Sequence, residues 1–133
     1  MLPDFRTGGI IMTIMEALHR IDALKPNGFQ NAEKIKWLSI LDGVIKNQII
    51  DTHEGESIPF DGYTEDAELT KELLVPAPYD DIYIHWLAMQ IDYTNGEYGK
   101  YNNSLSVYNT SYAAFENYYN KTHAPKKANR FMF

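Results

Sequence analysis

Four histidines are the most versatile catalytic and metal-binding groups in this sequence, and they are scattered along it. They are His19, His53, His85 and His123, with no pair at i,i+4 spacing and no HExxH pattern. His53 with Glu54 and Glu56 could in principle hold a divalent cation, because imidazole nitrogens and carboxylate oxygens are both metal ligands. A solvated acidic loop is the favoured interpretation of that cluster, so we predict no metal site.

Carboxylates and nucleophiles give no stronger sign of catalysis. Asp80 and Asp81 lie where a helix is expected to begin, a position that favours negative charge. The acidic residues between positions 61 and 68 fall in a turn-rich stretch, whereas acid–base chemistry needs carboxylates in contrasting environments. The chain has no cysteine and no Gly-x-Ser-x-Gly elbow, and Gly8-Gly9 is not followed by the Gly-Lys-Ser/Thr of a phosphate loop. We therefore predict no catalytic residues and no cofactors.

Composition indicates one soluble domain. The chain has 133 residues, of which 44% are apolar and 23% charged. Its formal charge of −6 argues against a dedicated nucleic-acid binder, because phosphates attract basic surfaces. No apolar run approaches the roughly 20 residues that span a bilayer, and the first residues do not resemble a secretion signal. We expect synthesis in the cytoplasm and no membrane contact.

Hydrophobic periodicity predicts two helices in the first half of the chain. The first runs from about Thr13 to Leu24, with the spacing of a capping box between Thr13 and Glu16. Its predicted apolar face carries Ile14, Ala17, Leu18, Ile21 and Leu24. The second begins at a cap at Asn31 and reaches roughly Asp51. Its apolar stripe is wide, which predicts a position near the centre of the core.

Between Thr52 and Pro78 the periodicity is lost, which predicts a partly ordered arm. Residues 64–70 could form one helical turn. Leu73-Leu74-Val75 is typical of an extended segment and could pair with Ile58–Phe60 as a short β-hairpin. Loops of this length in small domains are often functional.

The second half predicts two helices that form an antiparallel hairpin. One begins at Tyr79 or Asp80, and the other begins near Glu97 after an Asn95-Gly96 turn. The last helix carries a 3,4,3,4,3,4 stripe made of Tyr98, Tyr101, Leu105, Tyr108, Tyr112, Phe115 and Tyr119. Core packing is the favoured interpretation of this stripe. A subunit interface is the alternative, with outer tyrosines such as Tyr118 facing a partner.

We expect three parts in the chain: an N-terminal extension at 1–11, a single helical domain at 12–125 and a C-terminal tail at 126–133. Met12 is a candidate alternative start. The tail places Phe131, Met132 and Phe133 together, and three large apolar residues in such a tail favour docking on a partner.

Three stretches of the second half carry a resemblance to a known family. They are ELLVPAPYDDIYIHWLAMQIDY at 72–93, NGEYGKYNN at 95–103 and YAAFENYYNKTHAP at 112–125. Together with the order of helices from Met12 onward, they resemble small bacteriophage and prophage head–tail connector proteins. The resemblance implies a mainly α fold, a small bundle of four to five helices ending in a long antiparallel hairpin.

The resemblance also implies a function and partners. It implies a structural virion protein that forms a homo-oligomeric ring, a dodecamer by family likeness, between the portal protein and the next neck or tail protein. DNA would pass through the channel without specific binding, and the protein would reside in the virion neck. Candidate interface residues are Ile58, Phe60, Tyr63, Tyr118, Phe131, Met132 and Phe133. Another neck or tail-completion protein, or a non-enzymatic adaptor or regulatory protein binding a phage or host partner, is the alternative.

Overall fold

The structure, a computed structural model, describes residues 10–55 and 57–126. Strand β1 covers Ile11–Thr13, helix α1 Ile14–Leu24, helix α2 Asn31–Gln48, strand β2 Glu72–Pro76, helix α3 Asp81–Thr94 and helix α4 Tyr98–Thr122. A short 3-10 helix at Ile50–Thr52 follows α2. The prediction of a mainly helical chain is confirmed. Predictions that concern residues 1–9, Glu56 and the apolar tail residues Phe131, Met132 and Phe133 lie outside the described residues.

Helix α1 begins as its sequence predicts. The Glu16 amide donates to the Thr13 hydroxyl and the Thr13 amide donates to the Glu16 carboxylate, so the capping box is present. Four of the five predicted apolar residues are buried, but Leu24 is 66% exposed because the helix ends there, past the edge of the core. Leu24 thus belongs to the predicted apolar face but lies outside the buried core.

The two strands form a small antiparallel sheet that joins distant parts of the chain. Ile11 lies opposite Pro76 and Thr13 opposite Glu72, and the Ala77 amide donates to the Ile10 carbonyl (2.9 Å). The predicted pairing of β2 with Ile58–Phe60 is therefore wrong. Ile11, which falls in the predicted extension at 1–11, belongs to β1, and the Ile10 carbonyl beside it accepts the hydrogen bond from Ala77.

Helix α2 contributes much of its wide apolar stripe to the core, and its buried apolar residues are Ile35, Trp37, Leu38, Leu41 and Ile45. Its first residue is Asn31 and its N-cap is Gln30, one residue before the predicted cap. Buried apolar residues from α1, α3, β2 and the 3-10 helix belong to the same core cluster as those of α2. Two polar side chains of α2, Lys34 and Asp42, are also buried, and both need polar partners at that depth.

The tyrosine stripe of α4 is buried at one end and exposed at the other. Phe115 and Tyr119 are fully buried, Tyr108 and Tyr112 are half-buried, and Tyr98 is 60% exposed. The Trp86 ring of α3 lies 5.2 Å from the Tyr108 ring, so α3 and α4 pack together midway along the stripe. The stripe is therefore a core element in its second half and a surface in its first turns.

The segment between the 3-10 helix and β2 is irregular but packs against the core. Ile58 and Tyr63 are buried, and Phe60 is half-buried beside Gly43 of α2. Residues 64–70 contain turns rather than the predicted helical turn. The arm predicted for residues 52–78 thus contributes apolar side chains to the core along much of its length.

Candidate assembly surface and the polar contacts that support it

Two of the histidines that could do chemistry, His53 and His85, are engaged in contacts within the chain. His85 lies 3.6 Å from Asp81 one turn earlier on α3, and Asp81 is in the first turn of that helix. His53 lies within hydrogen-bond distance of the Ile49 carbonyl and of Asn120 on α4 (2.6 Å each). Among the described residues, no group of three or more acidic or histidine side chains is arranged to hold a metal ion.

Asp42 is a buried carboxylate that joins α2 to three other parts of the fold. It is fully buried on α2, and it accepts hydrogen bonds from the hydroxyls of Tyr63 (2.5 Å) and Tyr83 (2.6 Å) and from the Leu74 amide (3.2 Å). Tyr83 in turn accepts a hydrogen bond from the Val75 amide (2.7 Å). Buried carboxylates are stabilised by such multiple donors. Asp42 therefore links α2 to the irregular segment, to β2 and to α3.

Burial raises the pKa of the Tyr83 hydroxyl well above its ordinary value, and the negative charge of Asp42 raises that pKa further. Tyr83 thus stays protonated and acts as a hydrogen-bond donor to the carboxylate. The irregular segment has a second contact with α2, because the Tyr63 amide donates to the Ser39 hydroxyl (2.9 Å). Gly62 before it has a φ of +93°, a backbone conformation that favours glycine.

Two of the predicted interface residues therefore have structural roles inside the chain. Tyr63 donates to Asp42, and Ile58 is only 3% exposed. Tyr118 is half-buried, with its ring stacked on Tyr79 at 4.9 Å. Phe60 lines a depression of about 370 Å³ with Pro59, Asp61, Tyr63, Lys71, Glu72 and Leu74. Of the described candidates, Phe60 and Tyr118 retain some exposed surface that a partner could contact.

Among residues 10–55 and 57–126, the most exposed aromatic cluster lies at the turn between α3 and α4. Tyr93 is 57% exposed and Tyr98 60% exposed, and the Tyr93 ring lies 5.8 Å from the Tyr98 ring and 5.3 Å from the Tyr101 ring. We call Tyr93, Tyr98 and Tyr101 the tyrosine tip. The spacing of the α4 stripe predicts Tyr98 and Tyr101 on the same face as the buried Phe115 and Tyr119, and it does not distinguish the exposed residues from the buried ones.

Polar contacts just below the tyrosine tip hold the turn in place. Asp92 is 1% exposed, pairs with Lys25 (2.8 Å) and accepts a hydrogen bond from Ser104 (2.9 Å). The Glu97 amide donates to the Asp92 carbonyl (2.9 Å), and Gly96 has a φ of +73°. The end of α1 and the first turns of α4 are thus fixed to the end of α3. The tip consequently presents its rings from an ordered support.

A second aromatic cluster lies at the opposite end of α4 and contains two histidines. The His123 ring stacks on Tyr119 with a centroid distance of 3.9 Å, and the His53 ring meets Tyr119 edge-on at 5.0 Å. Burial lowers the pKa of His123, as does the nearby charge of His53, while a backbone hydrogen bond with Tyr119 acts in the opposite direction. The neutral form of His123 is therefore favoured in the folded chain.

This lowered pKa predicts that acidification destabilises the chain through His123. A pKa below the ordinary 6.5 in the folded state means that the unfolded chain binds the proton more readily. The stabilisation is present above pH 6.5 and is lost as the pH falls through the folded-state pKa. Urea unfolding at pH 7.5 and 5.5 should show a larger loss for the natural chain than for His123→Gln. Equal losses of unfolding free energy in the natural chain and in His123→Gln would show that His123 is not the group responsible.

Comparison with known proteins gives no family for this chain. It matches no protein-family model, no curated protein and no solved structure. Within the described residues, no helix is both long enough and apolar enough to cross a membrane. A function has to be inferred from the chain's own residues.

Proposed function

We propose that this chain is a structural virion assembly protein, a head–tail connector that forms a homo-oligomeric ring between the portal and the next neck or tail protein. In this proposal α3 and α4 are the long antiparallel hairpin of a small helical bundle, and the tyrosine tip at their turn contacts a neighbouring subunit or protein. The exposed aromatic cluster on an ordered support is the observation that carries the proposal.

Tyrosines suit such a contact for a physical reason. Their rings supply large apolar area with few rotatable bonds, and their hydroxyls remain compatible with water before assembly. Exposed Tyr93 and Tyr98 are not required by the core, because Phe115 and Tyr119 already fill the buried end of α4. Aromatic residues at the centre of an interface commonly supply much of its binding energy.

The charge of the chain is compatible with a channel for DNA. With 18 acidic against 12 basic residues, a ring of copies would carry a large negative charge. A negatively charged wall repels phosphates, so DNA would pass without being held. A ring structure with a basic channel would contradict this part of the proposal.

The test is deletion of the gene from the phage that carries it, followed by electron microscopy of the lysate. The proposal expects DNA-filled or leaking heads separated from finished tails, because the junction cannot form. Intact, infectious particles would instead overturn the connector function and favour an adaptor or regulatory protein.

Complementation then tests the tyrosine tip. A plasmid copy carrying Tyr93→Ser and Tyr98→Ser should fail to restore infectious particles, with a loss of about a hundredfold or more in titre if two central aromatic contacts are removed. Val107→Ser is the matched control, since Val107 is 45% exposed on α4 outside the tip, and it should restore the titre. If both variants restore the titre equally, the tyrosine tip is not part of the interface.

A further inference from the structure

A depression of about 370 Å³ is lined by the irregular segment after the 3-10 helix and by strand β2. Its lining includes two buried residues, Tyr63 and Leu74, and the half-buried ring of Phe60. Sites that bind a ligand or a side chain usually combine an apolar lining with a few polar groups. The volume lies near the small end of the range for such sites, so the depression suits one side chain rather than a large ligand.

Hydrogen bonds to α2 hold the two buried residues of the depression in place. The Tyr63 hydroxyl (2.5 Å) and the Leu74 amide (3.2 Å) both donate to Oδ2 of Asp42. The Tyr63 amide also donates to the Ser39 hydroxyl (2.9 Å). A site that is already ordered loses less conformational entropy when a partner binds. The depression is therefore formed by the fold itself, before any partner binds.

Two carboxylates and one ammonium group also line the depression. Asp61 and Glu72 are exposed, and neither forms an ion pair with a residue in the part of the chain that the structure describes. The Nζ atom of Lys71 instead lies 5.7 Å from the centroid of the Tyr63 ring. Because the ammonium group of Lys71 interacts with that ring, both carboxylates remain available to a positively charged partner.

The segment that surrounds the depression is strongly acidic. Residues 61–72 contain five acidic residues and one lysine, a net charge of −4 out of −6 for the whole chain. Such a field attracts cationic groups and repels phosphates, so nucleic acids and anionic lipid surfaces are poor partners. Within the described residues, no group of three or more acidic or histidine side chains could hold a metal ion. The charge distribution therefore favours a basic side chain of a protein over a metal ion.

We propose that this depression binds an arginine side chain of a partner protein. The planar guanidinium group stacks on aromatic rings, and Phe60 supplies such a ring. The same group donates paired hydrogen bonds to carboxylates, which Asp61 and Glu72 supply at this site. The ammonium group of lysine has neither the planar face nor the paired donors, so arginine is the better match. This inference goes beyond the proposed function and does not rest on it.

Titration of the full ¹⁵N-labelled chain with a short peptide, followed by NMR, tests the proposal. The probe is a capped pentapeptide with one central arginine between serines and glycines. The matched probe has citrulline in place of arginine, which keeps the shape of the side chain but removes its charge. The arginine peptide should shift the amide signals of Gly62, Tyr63 and Glu72 saturably, and the citrulline peptide should bind about tenfold more weakly. Equal binding of the two peptides, or shifts confined to other parts of the chain, would overturn the proposal.

Two double variants separate contacts in the depression from the overall charge of the chain. Asp61→Asn with Glu72→Gln removes both carboxylates of the depression and should weaken binding of the arginine peptide about tenfold. Glu33→Gln with Glu65→Gln is the matched control, because it changes the net charge equally at two exposed residues outside the depression. The control should weaken binding by less than about twofold, since distant surface charges are screened by salt. Equal weakening in the two variants would assign the binding to overall charge and overturn the proposal.

Discussion

Replacing Asp42 by alanine should destabilise the chain by about 3–5 kcal/mol, because three buried donors lose their acceptor and each unsatisfied donor costs about 1–3 kcal/mol. The substitution removes the acceptor for Tyr63, for Tyr83 and for the Leu74 amide in one step. Each of these donors lies in a place where water cannot readily replace the carboxylate. Because small proteins unfold with a total of about 5–15 kcal/mol, this loss is a large fraction of the free energy of unfolding.

Urea unfolding followed by far-UV circular dichroism measures this loss. Asp61→Ala is the matched control, since Asp61 is exposed in the same irregular segment that Asp42 holds, and it should change the unfolding free energy by less than about 0.5 kcal/mol. Asp42→Asn keeps the shape and one acceptor oxygen, so its effect should be intermediate. An alanine variant as stable as the Asp61 control would show that the network is not structural.

The burial of Asp42 could be predicted from the sequence, but its hydrogen-bond partners could not. Asp42 lies on the buried face of α2 between Leu38, Leu41 and Ile45, so its position on the predicted helix already indicates burial. Its hydroxyl donors lie 21 and 41 residues further on. The irregular segment that brings Tyr63 to Asp42 has no periodicity from which its path could be predicted. The sequence therefore predicts Tyr63 as an interface residue, whereas the structure places its hydroxyl on Asp42.

Local patterns were sufficient for the helices and insufficient for the sheet. The capping box at Thr13 and Glu16 involves residues three apart, and the structure contains both of its hydrogen bonds. Strand β1 is three residues long and pairs with a strand about sixty residues away. Such a pairing leaves almost no mark in the sequence, because its partner is chosen by the packing of α1 and α2.

The spacing of the α4 stripe does not show how far along the helix the core extends. The burial of Phe115 does, and it predicts a large effect on stability. Phe115→Ala should destabilise the chain by about 3–5 kcal/mol, the range for removing a fully buried aromatic ring. Phe115 is fully buried, and its ring lies near those of Tyr79, Tyr118 and Tyr119. The neighbouring rings would be left beside a cavity that the ordered helices cannot readily close.

Tyr98→Ala is the matched change at the other end of the same stripe, and it should alter the unfolding free energy by less than about 0.5 kcal/mol. Tyr98 is 60% exposed and keeps one aromatic neighbour, Tyr93. Both variants replace an aromatic residue of α4 by alanine, so both raise the helix propensity. The difference between their unfolding free energies therefore measures how tightly each ring is packed. Similar losses at both positions would mean that the tip is part of the core, and would also remove the physical basis for an aromatic assembly surface there. A large loss only at Phe115 would leave the exposed tyrosines available for binding, because the fold does not need them.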